Sequence, residues 1–250
     1  MTPATRTAWI TGSSSGIGLA VAHHLLDQGW HVLGLDRANA ALQHPHYQHQ
    51  TLDLTDAAAL TAWLNQAIPS PSNQAHLPPD AGSSPLPDAW VHAAGQGRYA
   101  RLGQLNPVDS DLMWRLHVGA AECMANALLP AMQQRGSGRV VLLASRVWTG
   151  KVGRSQYAAS KAALVSMARS WAAECVRQGV CVNSVSPAAT ETPMLMGDQR
   201  HGERPDPPPM GRFIQPEEVA ATVCFLLSDA ARSITGQDWV ICGGSSLGKL

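Results

Sequence analysis

The amino-acid sequence predicts an α/β fold in which a doubly wound parallel sheet is covered by helices on both faces. Short apolar runs alternate with helical patterns from one end of the 250 residues to the other, and crossover helices between parallel strands produce this order. Several of the apolar runs lack the polar alternation of a half-exposed strand. Together these two observations indicate strands that are buried on both faces.

Six apolar runs are the candidate strands, and they cover residues 7–11, 31–36, 90–93, 140–145, 180–185 and 239–242. Between the first two runs, apolar residues recur at three- and four-residue spacing, which predicts a helix over 16–28 that ends near Gly29. Four further helices are predicted at residues 56–67, 109–134, 156–178 and 216–227. The first strand, the first helix and the second strand form one βαβ unit.

Two proline-rich stretches interrupt this pattern, and both are expected to be surface loops. Residues 69–87 follow a helix, so this loop is expected at the amino-terminal edge of the sheet, away from a ligand. Residues 202–210 follow the strand that ends near Val185, so they emerge at the carboxyl edge, where open α/β sheets bind ligands. The segment 193–212 is therefore the candidate substrate loop or lid.

Composition excludes several classes of protein and favours a single domain over residues 1–250. Lys plus Arg and Asp plus Glu are 18 each, and no run of like charges occurs, which argues against a nucleic-acid or acidic-membrane partner. No stretch approaches the roughly 18 apolar residues of a membrane span. The five cysteines are scattered without a C-x-x-C pair, which favours a reducing compartment. We therefore expect a soluble, cytoplasmic protein.

A glycine-rich turn, Thr11–Gly18, joins the first predicted strand to the first helix. Glycines let the backbone approach a pyrophosphate, and the free N–H groups at the start of the helix favour its charge. Asp36 ends the second strand, where its carboxylate can accept hydrogen bonds from the ribose diol of an adenosine. This carboxylate repels a 2′-phosphate, so the sequence predicts NAD. The adjacent Arg37 keeps NADP open as the alternative.

A second group of residues has the chemistry of a proton-transfer site. Tyr157 and Lys161 are four residues apart in a predicted helix, so they lie on one face. A free phenol has a pKa of about 10, and a nearby ammonium favours the phenolate; we therefore expect Lys161 to lower the pKa of Tyr157 and make it a general base. Ser145, at the end of an apolar strand, is expected to orient the substrate oxygen while hydride passes to or from a nicotinamide.

These motifs, in this order, resemble the short-chain dehydrogenase/reductase family over nearly the whole chain. The further matches are Ala94-Gly95, Ser186-Pro187 with Thr192, residues 211–220 and residues 234–244. The resemblance implies a Rossmann-type domain with a sheet of about seven strands, a nicotinamide cofactor and a homotetramer. The residues that it assigns to the cofactor site are Gly12, Ser14, Ser15, Ile17, Gly18, Asp36, Arg37, Asp53, Leu54, Ala94, Gly95, Tyr157, Lys161, Pro187, Thr190 and Thr192. Read without the family, Asp53 is equally a turn residue or a helix N-cap.

Departures from the family pattern are as informative as the matches. His117 stands where the family usually has an Asn that completes a proton relay to the lysine. An imidazole can also pass protons near neutrality, so His117 is either a relay residue or a histidine packed in the core. The family's Asn-Asn-Ala-Gly appears here as residues 92–95 with His92 first, and we expect this change not to touch the chemistry directly. Cys242 replaces the usual Asp before two glycines.

Two further signals bear on ligands. His44, His46 and His49 lack an interleaved acidic residue, so a solvated loop is expected there and no metal cofactor is predicted. The residues that could face the substrate are Trp148, Met194 and Leu195. Apolar walls of this kind suit a substrate of medium size with an apolar or cyclic body, although the same residues could be ordinary packing residues.

The sequence thus predicts an NAD-dependent enzyme that interconverts a secondary alcohol and a ketone. One alternative on the same fold is an NADP-dependent 3-oxoacyl-thioester reductase, against which Asp36 argues. The other alternative is a non-catalytic protein that binds the cofactor as a scaffold or sensor. The presence of Ser145, Tyr157 and Lys161 disfavours this second alternative.

Overall fold

A seven-stranded, fully parallel sheet forms the centre of the structure and confirms the predicted fold class. The computed structural model describes residues 5–68, 86–197 and 206–247. The strands lie in the order β3-β2-β1-β4-β5-β6-β7. They are β1 Thr7–Thr11, β2 His31–Asp36, β3 Tyr47–Thr51, β4 Ala89–His92, β5 Gly138–Leu143, β6 Val180–Pro187 and β7 Asp238–Ile241.

Helices cover both faces of this sheet. They are α1 Gly16–Asp27, α2 Ala57–Ala67, α3 Pro107–Trp114, α4 Ala120–Arg135, α5 Ser155–Cys175, α6 Pro193–Met196 and α7 Pro216–Leu227. On one face α1 packs against α7, and their buried side chains share one apolar cluster. On the other face α2, α4 and α5 contribute to a second cluster. The core is therefore two apolar layers separated by the sheet.

Local sequence signals explain where several helices begin and end. Asp56 accepts hydrogen bonds from the first free N–H groups of α2, and Asn106 does the same for α3, which starts with Pro107. Gly136 follows α4 with a φ of 77°, a left-handed conformation that favours glycine. The predicted strands differ from the observed ones by at most two residues at either end.

The prediction of a solvated loop around His44, His46 and His49 was wrong for part of this segment. Tyr47–Thr51 forms β3, which pairs with β2 at the edge of the sheet. Its five side chains are only partly buried or exposed, so the strand lacks the apolar run by which the others were recognised. An edge strand needs less burial because one side of it has no neighbouring strand.

The predicted helix over 109–134 is interrupted. Residues Arg115–Gly119, between α3 and α4, form a π-helical segment. Such segments are rare and frequently mark functional sites, and this one carries His117. Within the predicted loop 69–87 and the lid candidate 193–212, residues 69–85 and 198–205 lie outside the described residues.

Among the residues that the structure describes, no helix is both long enough and apolar enough to cross a bilayer. Within the same ranges, no three potential metal-ligating side chains come together.

Candidate active site

A cleft of about 460 Å³ opens at the carboxyl edge of the sheet. Its walls are formed by the segments that follow strands β1 to β6, where the topology of an open parallel sheet places ligands. Most of the predicted site residues line it. They are Gly12, Ser15, Ile17, Gly18, Asp36, Arg37, Asp53, Leu54, Ala94, Gly95, Ser145, Tyr157, Lys161, Pro187, Thr190, Thr192, Met194 and Leu195.

The glycine-rich turn forms one end of this cleft. Gly12 has a φ of 72°, and a Cβ on it would lie 2.7 Å from the backbone of Ala94; a Cβ on Gly18 would collide with the carbonyl oxygen of Gly12. Ser15 begins α1 without a side-chain capping bond, and no acidic residue follows in the first turn. The turn is therefore a close-packed cradle at a positive helix end, and it fits the pyrophosphate of a dinucleotide.

Asp36 is held beside this turn by two backbone donors. Its Oδ2 accepts a hydrogen bond from the Ser14 N–H at 3.1 Å, and its Oδ1 accepts one from the Ala38 N–H at 3.0 Å. Each oxygen has further acceptor capacity, so the fixed carboxylate fits a ribose diol. Ser14 itself is not among the lining residues; its backbone serves Asp36 instead.

Asp53 lines the cleft as a turn residue, and the N-cap of α2 is Asp56. Asp53 Oδ1 accepts hydrogen bonds from the backbone N–H and the hydroxyl of Thr55 at 2.9 and 2.8 Å. These bonds, the backbone one first, lower the pKa of the Asp53 carboxyl. The side chain is thus a preorganised acceptor.

The structure brings Ser145, Tyr157 and Lys161 to the same cleft. Ser145 precedes a short 3₁₀ turn, Arg146–Thr149, rather than ending β5. Lys161 lies one turn after Tyr157 on α5, with its Nζ 5.9 Å from the centre of the phenol ring. The Lys161 ammonium also donates to the carbonyl of Leu143, at the end of β5, at 2.7 Å. Strand β5 therefore fixes the lysine beside the tyrosine.

Burial also changes the acidity of Lys161. The side chain is buried, and desolvation lowers its pKa to about 7. Lys161 can therefore exchange its own proton near neutral pH, as well as supplying positive charge to its surroundings.

His117 lies behind the cleft wall and does not line it. Its Nε2 accepts a hydrogen bond from the Gln96 N–H at 3.0 Å, so in the neutral ring the proton is on Nδ1, 2.8 Å from the hydroxyl of Ser160. Burial, and then the charge of Lys161, hold its pKa well below 6.5. The ring contacts Tyr157 edge to face at 5.7 Å between centroids. The geometry supports packing against the tyrosine more than proton relay.

His92 contacts the residues of the site, which the sequence did not predict. Its Nε2 donates to the carbonyl of His117 at 3.1 Å, and its Nδ1 accepts from the hydroxyl of Thr11 at 2.9 Å. Burial, with a smaller effect from Lys161, lowers its pKa to about 3. Two departures from the family pattern, His92 and His117, are thus partners. The occurrence of both departures in one sequence was the signal that could have predicted this contact.

The substrate end of the cleft differs from the prediction at one residue. Met194 and Leu195 line it, whereas Trp148 does not: its indole donates to Asp238 at 3.0 Å and packs against the core. Tyr99 lines the cleft instead and contacts Tyr157 edge to face, with centroids 5.6 Å apart. Three basic side chains that were not predicted also line this end: Arg146, Lys151 and Arg154.

A family model described as "Enoyl-(Acyl carrier protein) reductase" matches residues 12–246, which span every strand except β1. One solved structure, named "short chain dehydrogenase/reductase family protein", superposes on 99% of this chain and 100% of its own, with a TM-score of 0.84 and 29% sequence identity. The chain belongs to the short-chain dehydrogenase/reductase family. This short-chain dehydrogenase/reductase is an oxidoreductase, and its family uses a nicotinamide cofactor.

The curated relatives of this short-chain dehydrogenase/reductase have more than one activity. The 2,3-dihydro-2,3-dihydroxybenzoate dehydrogenase of Escherichia coli is 33% identical over 97% of this chain and 98% of its own. The 3-oxoacyl-[acyl-carrier-protein] reductase FabG of Salmonella typhimurium is 30% identical over 96% of each chain. Both dehydrogenases and ketoacyl reductases are therefore similar to this chain.

Proposed function

We propose that this oxidoreductase uses NAD to interconvert a secondary alcohol and a ketone. The observation that carries the proposal is that Ser145, Tyr157 and Lys161 line the same cleft as the glycine cradle. A nicotinamide ring, when bound, supplies or accepts the hydride. The residues of the chain bind the substrate and handle the proton.

Each of the three side chains has a distinct role in the proposal. The Ser145 hydroxyl hydrogen-bonds the substrate oxygen and orients it toward Tyr157. The Tyr157 hydroxyl gives a proton to that oxygen in reduction and takes one from it in oxidation. The Lys161 ammonium stabilises the phenolate and lowers the pKa of Tyr157. Because the pKa of Lys161 is about 7, the lysine can also pass a proton between Tyr157 and the neighbouring groups of the site.

The preference for NAD rests on Asp36. Its carboxylate lines the cleft in a fixed position with acceptor capacity on both oxygens. A 2′-phosphate there would meet a negative charge that two backbone N–H groups hold in place. Arg37 also lines the cleft and is the residue that an NADP-dependent protein could use instead.

The walls of the cleft support a substrate with an apolar or cyclic body and an anionic group. Met194 and Leu195 supply apolar surface, and the 193–212 segment is the proposed substrate loop because its described parts border the cleft. The three basic side chains Arg146, Lys151 and Arg154 flank Ser145 and Tyr157 in sequence. Asp206, which is acidic, also lines the cleft. The dehydrogenase from Escherichia coli is named for a substrate with a ring and a carboxylate.

A substrate panel tests the proposal. We expect oxidation of carboxylated cyclic secondary alcohols with NAD, followed at the nicotinamide absorbance, and weaker activity with the matching methyl esters. Turnover that requires NADPH and acyl thioesters would instead support the alternative of a 3-oxoacyl-thioester reductase, which the similarity to FabG favours. Stoichiometric NADH binding without turnover of any alcohol or ketone would support the non-catalytic alternative.

We also propose a cytoplasmic homotetramer that binds neither nucleic acid nor membrane. Exposed apolar side chains on two helices support association: Val108 and Trp114 on α3, and Phe225 on α7, are 70%, 46% and 40% exposed. Light scattering of the purified protein would give a mass of four chains, and a monomeric mass would contradict the proposal.

A further inference from the structure

We propose that Tyr47 and His49 of β3 are positioning residues that set the preference for NAD over NADP by fixing the turn that carries Asp36. The inference rests on the proposed use of NAD. It concerns side chains of the edge strand that do not line the cleft. They act on the cofactor only through the turn over residues 36–38.

His49 binds the end of this turn. Its Nε2 lies 2.9 Å from the carbonyl oxygen of Ala38. Because a carbonyl only accepts, Nε2 carries the proton and the neutral ring has its lone pair on Nδ1. That Nδ1 lies 3.1 Å from the hydroxyl of Tyr47. The imidazole therefore connects the turn to the tyrosine.

Tyr47 extends the connection to the glycine-rich turn. Its hydroxyl lies 3.2 Å from the hydroxyl of Ser13, which is buried. Gly34, on β2, makes this contact possible: a Cβ on it would collide with both the Tyr47 hydroxyl and the Ser13 Oγ. The chain thus has a glycine in the middle of a strand where a hydroxyl from the neighbouring strand crosses to the cofactor turn.

The result is a turn that is held from both sides. Asp36 binds the N–H of Ala38 at 3.0 Å, and His49 binds the carbonyl of the same residue at 2.9 Å. With Ala38 held, the Asp36 carboxylate cannot rotate away from the position where it would meet the 2′-hydroxyl or the 2′-phosphate. Without these bonds, the turn can move the carboxylate aside and bring the Arg37 guanidinium to a phosphate.

Direct titration with NADH and NADPH tests the inference without the need for a substrate. For Tyr47→Phe and His49→Ala, we expect the ratio of the NADPH to the NADH dissociation constant to fall by about fivefold or more, which is ~1 kcal/mol and typical of one lost hydrogen bond. His49→Gln keeps an N–H donor and is expected to recover much of the preference. His46→Ala is the matched control, because the His46 ring stacks on His31 and not on the turn.

The outcomes separate this inference from the proposed function. If Tyr47→Phe and His49→Ala weaken both cofactors by the same factor, the residues are merely structural and the inference is overturned. Asp36→Ala is measured in parallel. A fall in the ratio for Asp36→Ala alone would overturn the role of Tyr47 and His49 and leave the NAD proposal standing. An unchanged ratio for Asp36→Ala would overturn both.

Discussion

Two buried histidines beside Lys161 illustrate how single residues define this site. His92 and His117 are fully enclosed and neutral, and the hydrogen bond from His92 to the His117 carbonyl joins them. Neither can gain a proton without placing a second charge near the ammonium of Lys161. The two histidines therefore give Lys161 neutral neighbours on this side of the site.

This arrangement predicts loss of stability in acid. The pKa of His92 is about 3 in the folded protein and about 6.5 in an unfolded chain, so between these values the unfolded state binds more protons. The free energy of unfolding must then fall as the pH falls from about 6.5 toward about 3, by up to ~1.4 kcal/mol per pH unit for each such histidine.

Urea unfolding at a series of pH values measures this slope. We expect His92→Asn to have a shallower slope than the wild type over that range, because one proton-binding group is removed. His46→Asn, at an exposed position, is the control and is expected to keep the wild-type slope. An equal slope in all three proteins would show that His92 is not held neutral by the fold.

Substitution of the single residue Arg154 tests the proposal that the substrate carries an anionic group. Its guanidinium lies 3.7 Å from the centre of the Tyr99 ring at the substrate end of the cleft. Arg154→Leu should raise KM for a carboxylated cyclic alcohol by about tenfold, the loss of one charge-assisted hydrogen bond, with little change for its methyl ester. Arg177→Leu, distant in sequence from the cleft-lining residues, is the control. An equal change for acid and ester would contradict recognition of the carboxylate.

At the scale of elements, sequence patterns predicted the buried strands well and the edge strand poorly. The bounds of β1 and β2 are those predicted, because both are apolar runs flanked by a clear turn. Strand β3 is polar, and its pairing depends on β2 rather than on its own composition. The π-helical segment around His117 leaves the apolar periodicity of the surrounding helices intact, so periodicity alone predicts one continuous helix.

Gly34 is the place where β2 and β3 constrain each other most tightly. Gly34→Ala is expected to lower the free energy of unfolding by ~2 kcal/mol, because the new methyl group collides with the Tyr47 and Ser13 hydroxyls and separates two side chains that are packed together. Gly119→Ala is the matched control: a Cβ on Gly119 would lie 4.0 Å from the backbone oxygen of Trp114, and alanine favours a helix. If urea unfolding gave both variants the same loss of unfolding free energy, the position of the Tyr47 side chain against Gly34 would be contradicted.

At the scale of the whole molecule, the parallel sheet explains why so much of the candidate site could be predicted. Residues distant in sequence, such as Gly12, Asp36 and Ser145, follow the carboxyl ends of different strands and so meet at one edge. Trp148 was not predictable in this way, because its direction depends on a 3₁₀ turn that the strand pattern does not specify. The basic residues of the cleft carry no motif and became visible only in three dimensions.

The proposed function depends on exchange of a proton between the Tyr157 hydroxyl and the substrate. Tyr157→Phe keeps the ring and its contacts with Tyr99 and His117 and removes only that hydroxyl. Two quantities measured on the same preparation test this proton exchange: the steady-state turnover of a secondary alcohol and the dissociation constant of NADH. We expect kcat to fall by about a thousandfold, within the range for loss of a general acid or base, while NADH binds within about threefold of the wild type. Wild-type turnover by this variant would contradict this role of Tyr157.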